Sequence, residues 1–105
     1  MAAPQRADPQ PWLLGVSRTL LEPLWNWPVH GLRHPPAHGT SGWYIWVGEL
    51  STDADFFVPI HAEHLIAHVP EIQKHLLRPP GSRFLLAPGY ADAWQDDSLL
   101  DSTDR

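Results

Sequence analysis

Large apolar side chains stand in an unbroken run within residues 40–49, which read Thr-Ser-Gly-Trp-Tyr-Ile-Trp-Val-Gly-Glu. Aromatic and β-branched residues favour a pleated strand. Alternation divides their side chains between two faces: Trp43, Ile45 and Val47 on one, Tyr44 and Trp46 on the other. Because both faces are bulky and apolar, the strand is either buried on both sides or presents one side to a ligand or partner.

The rest of the pattern predicts short elements separated by proline-rich turns. Strands are predicted at residues 12–18, 27–32, 41–49, 82–87 and 90–95, and helices at residues 61–68 and 71–77. Residues 17–22 are expected to form a helical turn, and residues 56–60 an apolar entry into the first helix. Strands before and after a helical pair are typical of an α+β domain. We therefore expect one small domain, with a mostly antiparallel sheet packed against two short helices.

Composition sets the outer limits of this domain. The chain has 105 residues, no cysteine and a formal charge of −5. Residues 1–11, with three prolines, are expected to be a disordered leader, residues 12–97 the folded domain and residues 98–105 an acidic tail. The first residues lack the apolar run of a secretory signal and no later run is long enough to cross a membrane, so a cytoplasmic protein is expected.

The charge distribution bears on the kind of partner. Lys74 is the only lysine, and the arginines are scattered, which argues against nucleic acid as the partner. The C-terminal end is rich in aspartate, at positions 92, 96, 97, 101 and 104. Such a segment is either a solvated tail or a field that attracts a basic protein.

Six tryptophans are too many for the core of so short a chain, because each buries a large area and carries an N–H that needs a partner. Some of these indoles are therefore expected at the surface, where tryptophan often anchors an interface. Exposed indoles leave open whether the protein is a monomer or a homodimer.

Three histidines have the spacing of metal ligands. His61, His64 and His68 fall in one stripe of the predicted helix. Zinc with an open fourth position is one interpretation. Packed, hydrogen-bonded histidines at the edge of the helix are the other, and the His-Glu-x-x-His order of metalloproteases is absent. No serine stands in a Gly-x-Ser-x-Gly setting and no glycine-rich loop leads into a helix. We predict no catalytic residue, no cofactor and no metal site.

Several motifs resemble a family of small bacterial proteins that is classed among the immunity proteins of polymorphic toxin systems and was formerly a domain of unknown function. The matching segments lie at residues 32–36, 40–49, 56–65, 79–85 and 90–96. The Ser-Gly-Trp-aromatic-x-Trp-x-Gly-Glu core that begins at Ser41 is the most specific of them. The resemblance covers residues 14–97.

The resemblance implies a non-catalytic protein that binds and neutralises a cognate toxin. Such a protein needs a stable platform, a few aromatic anchors and complementary charge. Contact residues are predicted on the tryptophan-rich strand and at the acidic end: Trp43, Trp46, Tyr90, Asp92, Trp94, Asp96 and Asp97. Of the first two, the one that faces outward is expected to take part.

Beside a purely structural adaptor, two more specific functions remain open. One is a module that binds a small ligand or peptide on an aromatic floor that contains Trp43 or Trp46. The other is a zinc-dependent hydrolase that uses the stripe of His61, His64 and His68.

Overall fold

The computed structural model describes residues 12–37 and 39–103, with only the backbone for residues 101–103. In these ranges six strands form one sheet: β1 (Leu13–Ser17), β2 (Val29–Arg33), β3 (Trp43–Val47), β4 (Phe57–His61), β5 (Ser82–Ala87) and β6 (Tyr90–Gln95). The α-helix α1 spans Ala62–His68, and 3₁₀ helices span Arg18–Leu21, Pro70–His75 and Asp97–Thr103. The predicted leader at residues 1–11 lies outside the described residues.

The strand order is β4-β1-β3-β2-β5-β6. Four of the five ladders are antiparallel, and β1 runs parallel to β3, with Gly15 opposite Tyr44. The α+β prediction is confirmed, and the sheet is mixed. The second predicted helix is a 3₁₀ helix, Pro70–His75.

Strand β4 replaces the predicted apolar entry into the first helix, and that prediction is wrong. Strand β4 pairs with β1 along its whole length, from Phe57 opposite Ser17 to His61 opposite Leu13. Its central Pro59 has no N–H to donate, which a strand tolerates only at the edge of a sheet. Because β4 is an edge strand, the proline fits there.

The first face of the sheet carries the main core. Its side chains pack against α1 and the Pro70–His75 helix, and the cluster comprises Leu14, Val16, Leu20, Val29, Trp43, Ile45, Val47, Ala62, Leu65, Val69, Ile72, Leu76, Phe84 and Leu86. The Trp43 Nε1 donates a hydrogen bond to the Leu76 carbonyl at 3.0 Å. A buried indole needs such a partner for its N–H.

A buried arginine joins the loops at one end of the sheet. Arg33, the last residue of β2, donates from Nε to the Ser41 carbonyl at 2.9 Å and from Nη1 to the Arg78 carbonyl at 2.7 Å. Its guanidinium carbon lies 5.0 Å from the ring centroid of Trp12 and 5.9 Å from that of Trp43. The charge is thus held by carbonyl dipoles and aromatic faces.

Close approach of an aromatic ring explains Gly31 in the middle of β2. A Cβ at this position would lie 2.4 Å from two ring atoms of Phe84. Overpacking of this kind costs about 1–3 kcal/mol. The entropic gain of replacing glycine by alanine is smaller, about 0.4–1 kcal/mol.

We therefore expect Gly31→Ala to lower the free energy of unfolding, as measured by urea denaturation. The loss should be smaller in a Phe84→Leu background, where the smaller side chain leaves room for the methyl group. An equal loss in both backgrounds would show that the ring does not set the cost.

His75 is buried beside a cation. Its Nδ1 accepts a hydrogen bond from Arg78 Nε at 3.3 Å, which leaves the ring proton on Nε2. That Nε2 is buried without a partner in the described structure. Burial, and then the charges of Arg78 and Lys74, lower the pKa of His75 below 6.5. Burial, with Arg83, also lowers the pKa of His30.

These shifts predict that the protein loses stability on mild acidification. As the pH falls through 6.5, His75 becomes protonated in the unfolded chain but stays neutral in the folded chain, because its pKa there is lower. The free energy of unfolding therefore decreases until the pH reaches the pKa of His75 in the folded chain. Urea midpoints measured between about pH 8 and pH 5 should fall, and fall less in His75→Phe. His30 accounts for a residual slope in that variant. An unchanged slope in His75→Phe would contradict the assignment.

Candidate functional site

The second face of the sheet, opposite the main core, is aromatic at its centre. Register and alternation place the following side chains on it: His30, Leu32, Tyr44, Trp46, Phe57, Arg83, Leu85, Tyr90, Asp92 and Trp94. They form cross-strand rows, since Trp46 lies opposite His30, His30 opposite Leu85 and Leu85 opposite Asp92. One row thus runs from a tryptophan on the central strand to an aspartate on the edge strand β6.

Aromatic contacts order the middle of this face. The rings of His30 and Trp46 stack with centroids 5.1 Å apart and 11° between their planes. Phe57 meets Tyr44 edge-to-face at 5.0 Å. Tyr44 lies over Gly15, where a Cβ would come within 2.7 Å of its ring. Packed rings of this kind hold fixed orientations.

The C-terminal 3₁₀ helix, Asp97–Thr103, covers one end of the second face. Its Leu99 is buried in one cluster with Leu32 and Trp46, and the Leu99 carbonyl oxygen lies 3.3 Å from His34 Nδ1. Leu99 is therefore packed against the sheet, although it lies in the segment predicted to be an acidic tail, residues 98–105.

Asp96 holds the start of that helix. Its Oδ1 accepts hydrogen bonds from the Ser98 backbone N–H at 3.1 Å and from the Ser98 hydroxyl at 2.6 Å. Its Oδ2 accepts from Arg83 Nη1 at 2.9 Å. The Ser98 hydroxyl first, and then Arg83, hold the pKa of this carboxyl below its usual range. Asp96 is thus committed to contacts within the chain.

A shallow pocket opens between the aromatic centre and the loop after β3. It has a volume of about 300 Å³. Leu32, Tyr44, Trp46 and Phe57 line it from the sheet, and His34, Leu50, Ser51 and Thr52 complete it. We call it the second-face pocket. Its walls are mostly apolar, with a few polar groups from the loop.

The outer strand β6 carries an exposed row. Tyr90 is 52% and Trp94 45% exposed, and Asp92 lies between them on the same face, also exposed. The Tyr90 hydroxyl donates to Asp92 Oδ2 at 3.5 Å. Because β6 is the last strand of the sheet, this row lies at an open edge.

The structure exposes some of the predicted contact residues and buries others. It brings Tyr90, Asp92 and Trp94 together as this exposed row, followed along the chain by the exposed Asp97. Trp46 lies at the centre of the second face and is 5% exposed. Trp43 lies on the opposite face, 1% exposed, in the main core. Sequence reasoning missed Phe57, because its segment was interpreted as the entry to a helix.

The three histidines do not converge. The rings of His61 and His64 lie 5.8 Å apart, whereas His68 Nε2 is 2.8 Å from the Leu20 carbonyl. Across the described ranges, no group of three or more His, Cys, Asp or Glu side chains is arranged to hold a metal ion. The geometry gives the zinc interpretation no support.

The fold and this face define a small sheet-dominated domain with an aromatic, acid-edged surface. A family model for the Imm33-like domain matches residues 2–96. The chain therefore belongs to the Imm33-like family, an immunity-protein-like family. No curated protein and no solved structure matches the chain. Among the residues whose structure is described, no helix is long and apolar enough to span a membrane.

Proposed function

We propose that this protein is an immunity protein that binds and neutralises a cognate toxin of a bacterial polymorphic toxin system. It acts in the cytoplasm by occupying the toxin and performs no catalysis. Membership of the Imm33-like family supports the class of function. The observation that carries the choice of surface is the exposed row of Tyr90, Asp92 and Trp94 on β6.

Aromatic side chains on a strand suit this task. Tryptophan and tyrosine dominate the energetics of interfaces, because they bury a large area and have few rotatable bonds to immobilise. Trp94 lies opposite Arg83 in the β5–β6 ladder, and Arg83 is tied to Asp96. An ion pair thus flanks the row on the same face of the sheet. A surface held in place before binding loses little entropy when the partner arrives.

Charge favours a basic partner. The formal charge is −5, and Asp92 and Asp97 are exposed beside the aromatic row. Acidic groups at the rim of an interface raise the rate of association with a cationic protein and make it sensitive to salt. A toxin face that carries arginine or lysine next to an apolar patch fits this surface.

The first test uses the toxin domain encoded by the adjacent reading frame. We expect the wild-type protein to bind this domain in a pull-down and to rescue growth of cells that express it. Trp94→Ala should weaken the affinity about tenfold to a hundredfold, the range of an interface hot spot. Asp92→Asn should mainly slow association and reduce its dependence on salt.

Leu77→Ala is the matched control, because Leu77 is 81% exposed and follows the helix that covers the opposite face. This variant should retain wild-type affinity. Absence of binding by the wild-type protein would refute the proposed function. Wild-type affinity in both Trp94→Ala and Asp92→Asn would refute the proposed surface.

The second-face pocket favours a second candidate, a module that binds an aromatic small molecule or side chain. Its floor contains Trp46 and Tyr44, and its volume of about 300 Å³ lies at the small end of the range for ligand sites. Leu50, 54% exposed, forms part of its wall.

Indole serves as the probe for this candidate. Titration followed by NMR should move the Trp46 side-chain N–H signal with a dissociation constant of about 1 mM. Leu50→Asp should weaken the effect, since it places a charge in an apolar wall, whereas Leu77→Asp should not. Saturating indole that leaves the Trp46 signal in place would argue against a ligand-binding role for this pocket.

A further inference from the structure

A sizeable cavity lies at the end of the sheet where β2 begins and β3 ends. Its volume is about 590 Å³. Six of the residues that line it bear on its chemistry: Glu22, Trp25, Trp27, His30, Glu49 and Phe56. We call it the end cavity. It is separate from the exposed row on β6 and from the second-face pocket.

Indole rings form part of its wall. Trp25 and Trp27 meet edge-to-face, with centroids 4.7 Å apart. Both rings are half-buried, because they also pack against the main core. Their positions are therefore fixed by packing, and they leave aromatic surface on the cavity side. Such surface attracts a cation through the negative face of the ring.

The charged groups around the end cavity are carboxylates. Glu22 and Glu49 are exposed, and neither side-chain carboxylate has an ion-pair or hydrogen-bond partner in the parts of the chain that the structure describes. No lysine or arginine lines the cavity. Arg18, the nearest cation along the chain, donates its Nε to the Asp55 carbonyl. Burial and the charge of Arg83 lower the pKa of His30, which favours the neutral form of this ring. The cavity therefore presents two negative charges beside two indoles.

We propose that the end cavity receives an arginine side chain of the toxin. This inference rests on the proposed function and names the chemistry of the partner. Arginine fits better than lysine, because its planar guanidinium stacks on an indole and donates to carboxylates in pairs. An exposed leucine at the rim, Leu24, offers apolar surface for the methylene stem.

The end cavity lies within reach of the same partner as the row on β6. His30, which lines the cavity, is separated from Asp92 by a single strand, since His30 pairs with Leu85 and Leu85 with Asp92. Neighbouring strands lie about 4.8 Å apart, so two steps span roughly 10 Å. One toxin face of ordinary size covers both.

The cavity can be tested without the toxin. The probe is an acetylated and amidated Gly-Arg-Gly peptide, and its control carries citrulline, which has the same shape without the charge. We expect the arginine peptide to move the indole N–H signals of Trp25 and Trp27 with a dissociation constant of about 1–10 mM. The citrulline peptide should leave them in place. Equal effects of the two peptides, or none, would overturn the proposal.

Variants then link the cavity to the toxin. Glu22→Gln with Glu49→Gln should abolish the shift caused by the arginine peptide and raise the toxin dissociation constant at least about tenfold. Glu63→Gln with Glu71→Gln removes the same charge from exposed residues outside the cavity and should leave both values unchanged. Equal losses in the two double variants would mean that overall charge acts, and not this cavity.

The two proposals fail in different ways. If the wild-type protein does not bind the toxin but the arginine peptide binds the cavity, the immunity function is wrong and the cation site stands. If the toxin is neutralised equally by the wild type and by Glu22→Gln with Glu49→Gln, the immunity function stands and the cavity is not part of the interface. A lysine peptide that binds more tightly than the arginine peptide would overturn the choice of guanidinium.

Discussion

Strand β3 imposes the constraint on which the rest of the molecule depends, because it carries large apolar groups on both faces. Trp43, Ile45 and Val47 require cover on the first face, and α1 with the Pro70–His75 helix provides it. Tyr44 and Trp46 require cover on the second face, where, within residues 12–37 and 39–103, the Asp97–Thr103 helix and the loop after β3 provide it. This cover is incomplete: it leaves the second-face pocket at the centre and the row on β6 in solvent. The candidate surface thus arises because β3 is apolar on both faces, whereas the second face is only partly covered.

Some charged side chains at the ends of the sheet are engaged in hydrogen bonds within the chain. These side chains are therefore not available to bind a partner. Arg33 is buried and bound to loop carbonyls, so it is not available at the surface. Asp96 is bound to Ser98 and Arg83 and anchors the C-terminal helix. The predicted contact residue Asp96 therefore has a structural task, whereas Asp92 and Asp97 present exposed carboxylates. Counting acidic residues along the sequence does not make this distinction.

Much of the fold could be predicted because alternation is a local property. The central strand, β5, β6 and the helix that ends before Pro70 all follow from patterns within ten residues. Strand β4 was missed because Pro59 interrupts its pattern and only pairing with β1 makes it a strand. The parallel β1–β3 ladder joins segments almost thirty residues apart, which no local pattern reports. Leu99 was missed as a core residue because the acidic residues around it predict solvent.

The candidate site was predictable only in part, for a related reason. Alternation shows that Trp43 and Trp46 point in opposite directions, but the covering helices decide which direction is inward. The aromatic pair Trp25 and Trp27 gives no periodic signal, since it lies in the irregular segment before β2. The pair can be recognised as part of a candidate site only in the folded structure, where Glu49, just after β3, lines the same cavity. Under the proposed function, the partner contacts lie on the edge strand β6, in the loop after β3 and in the irregular segment before β2. One sheet holds all three in place. Binding by such a surface requires no conformational change, and its specificity rests on where the exposed carboxylates lie relative to the indoles.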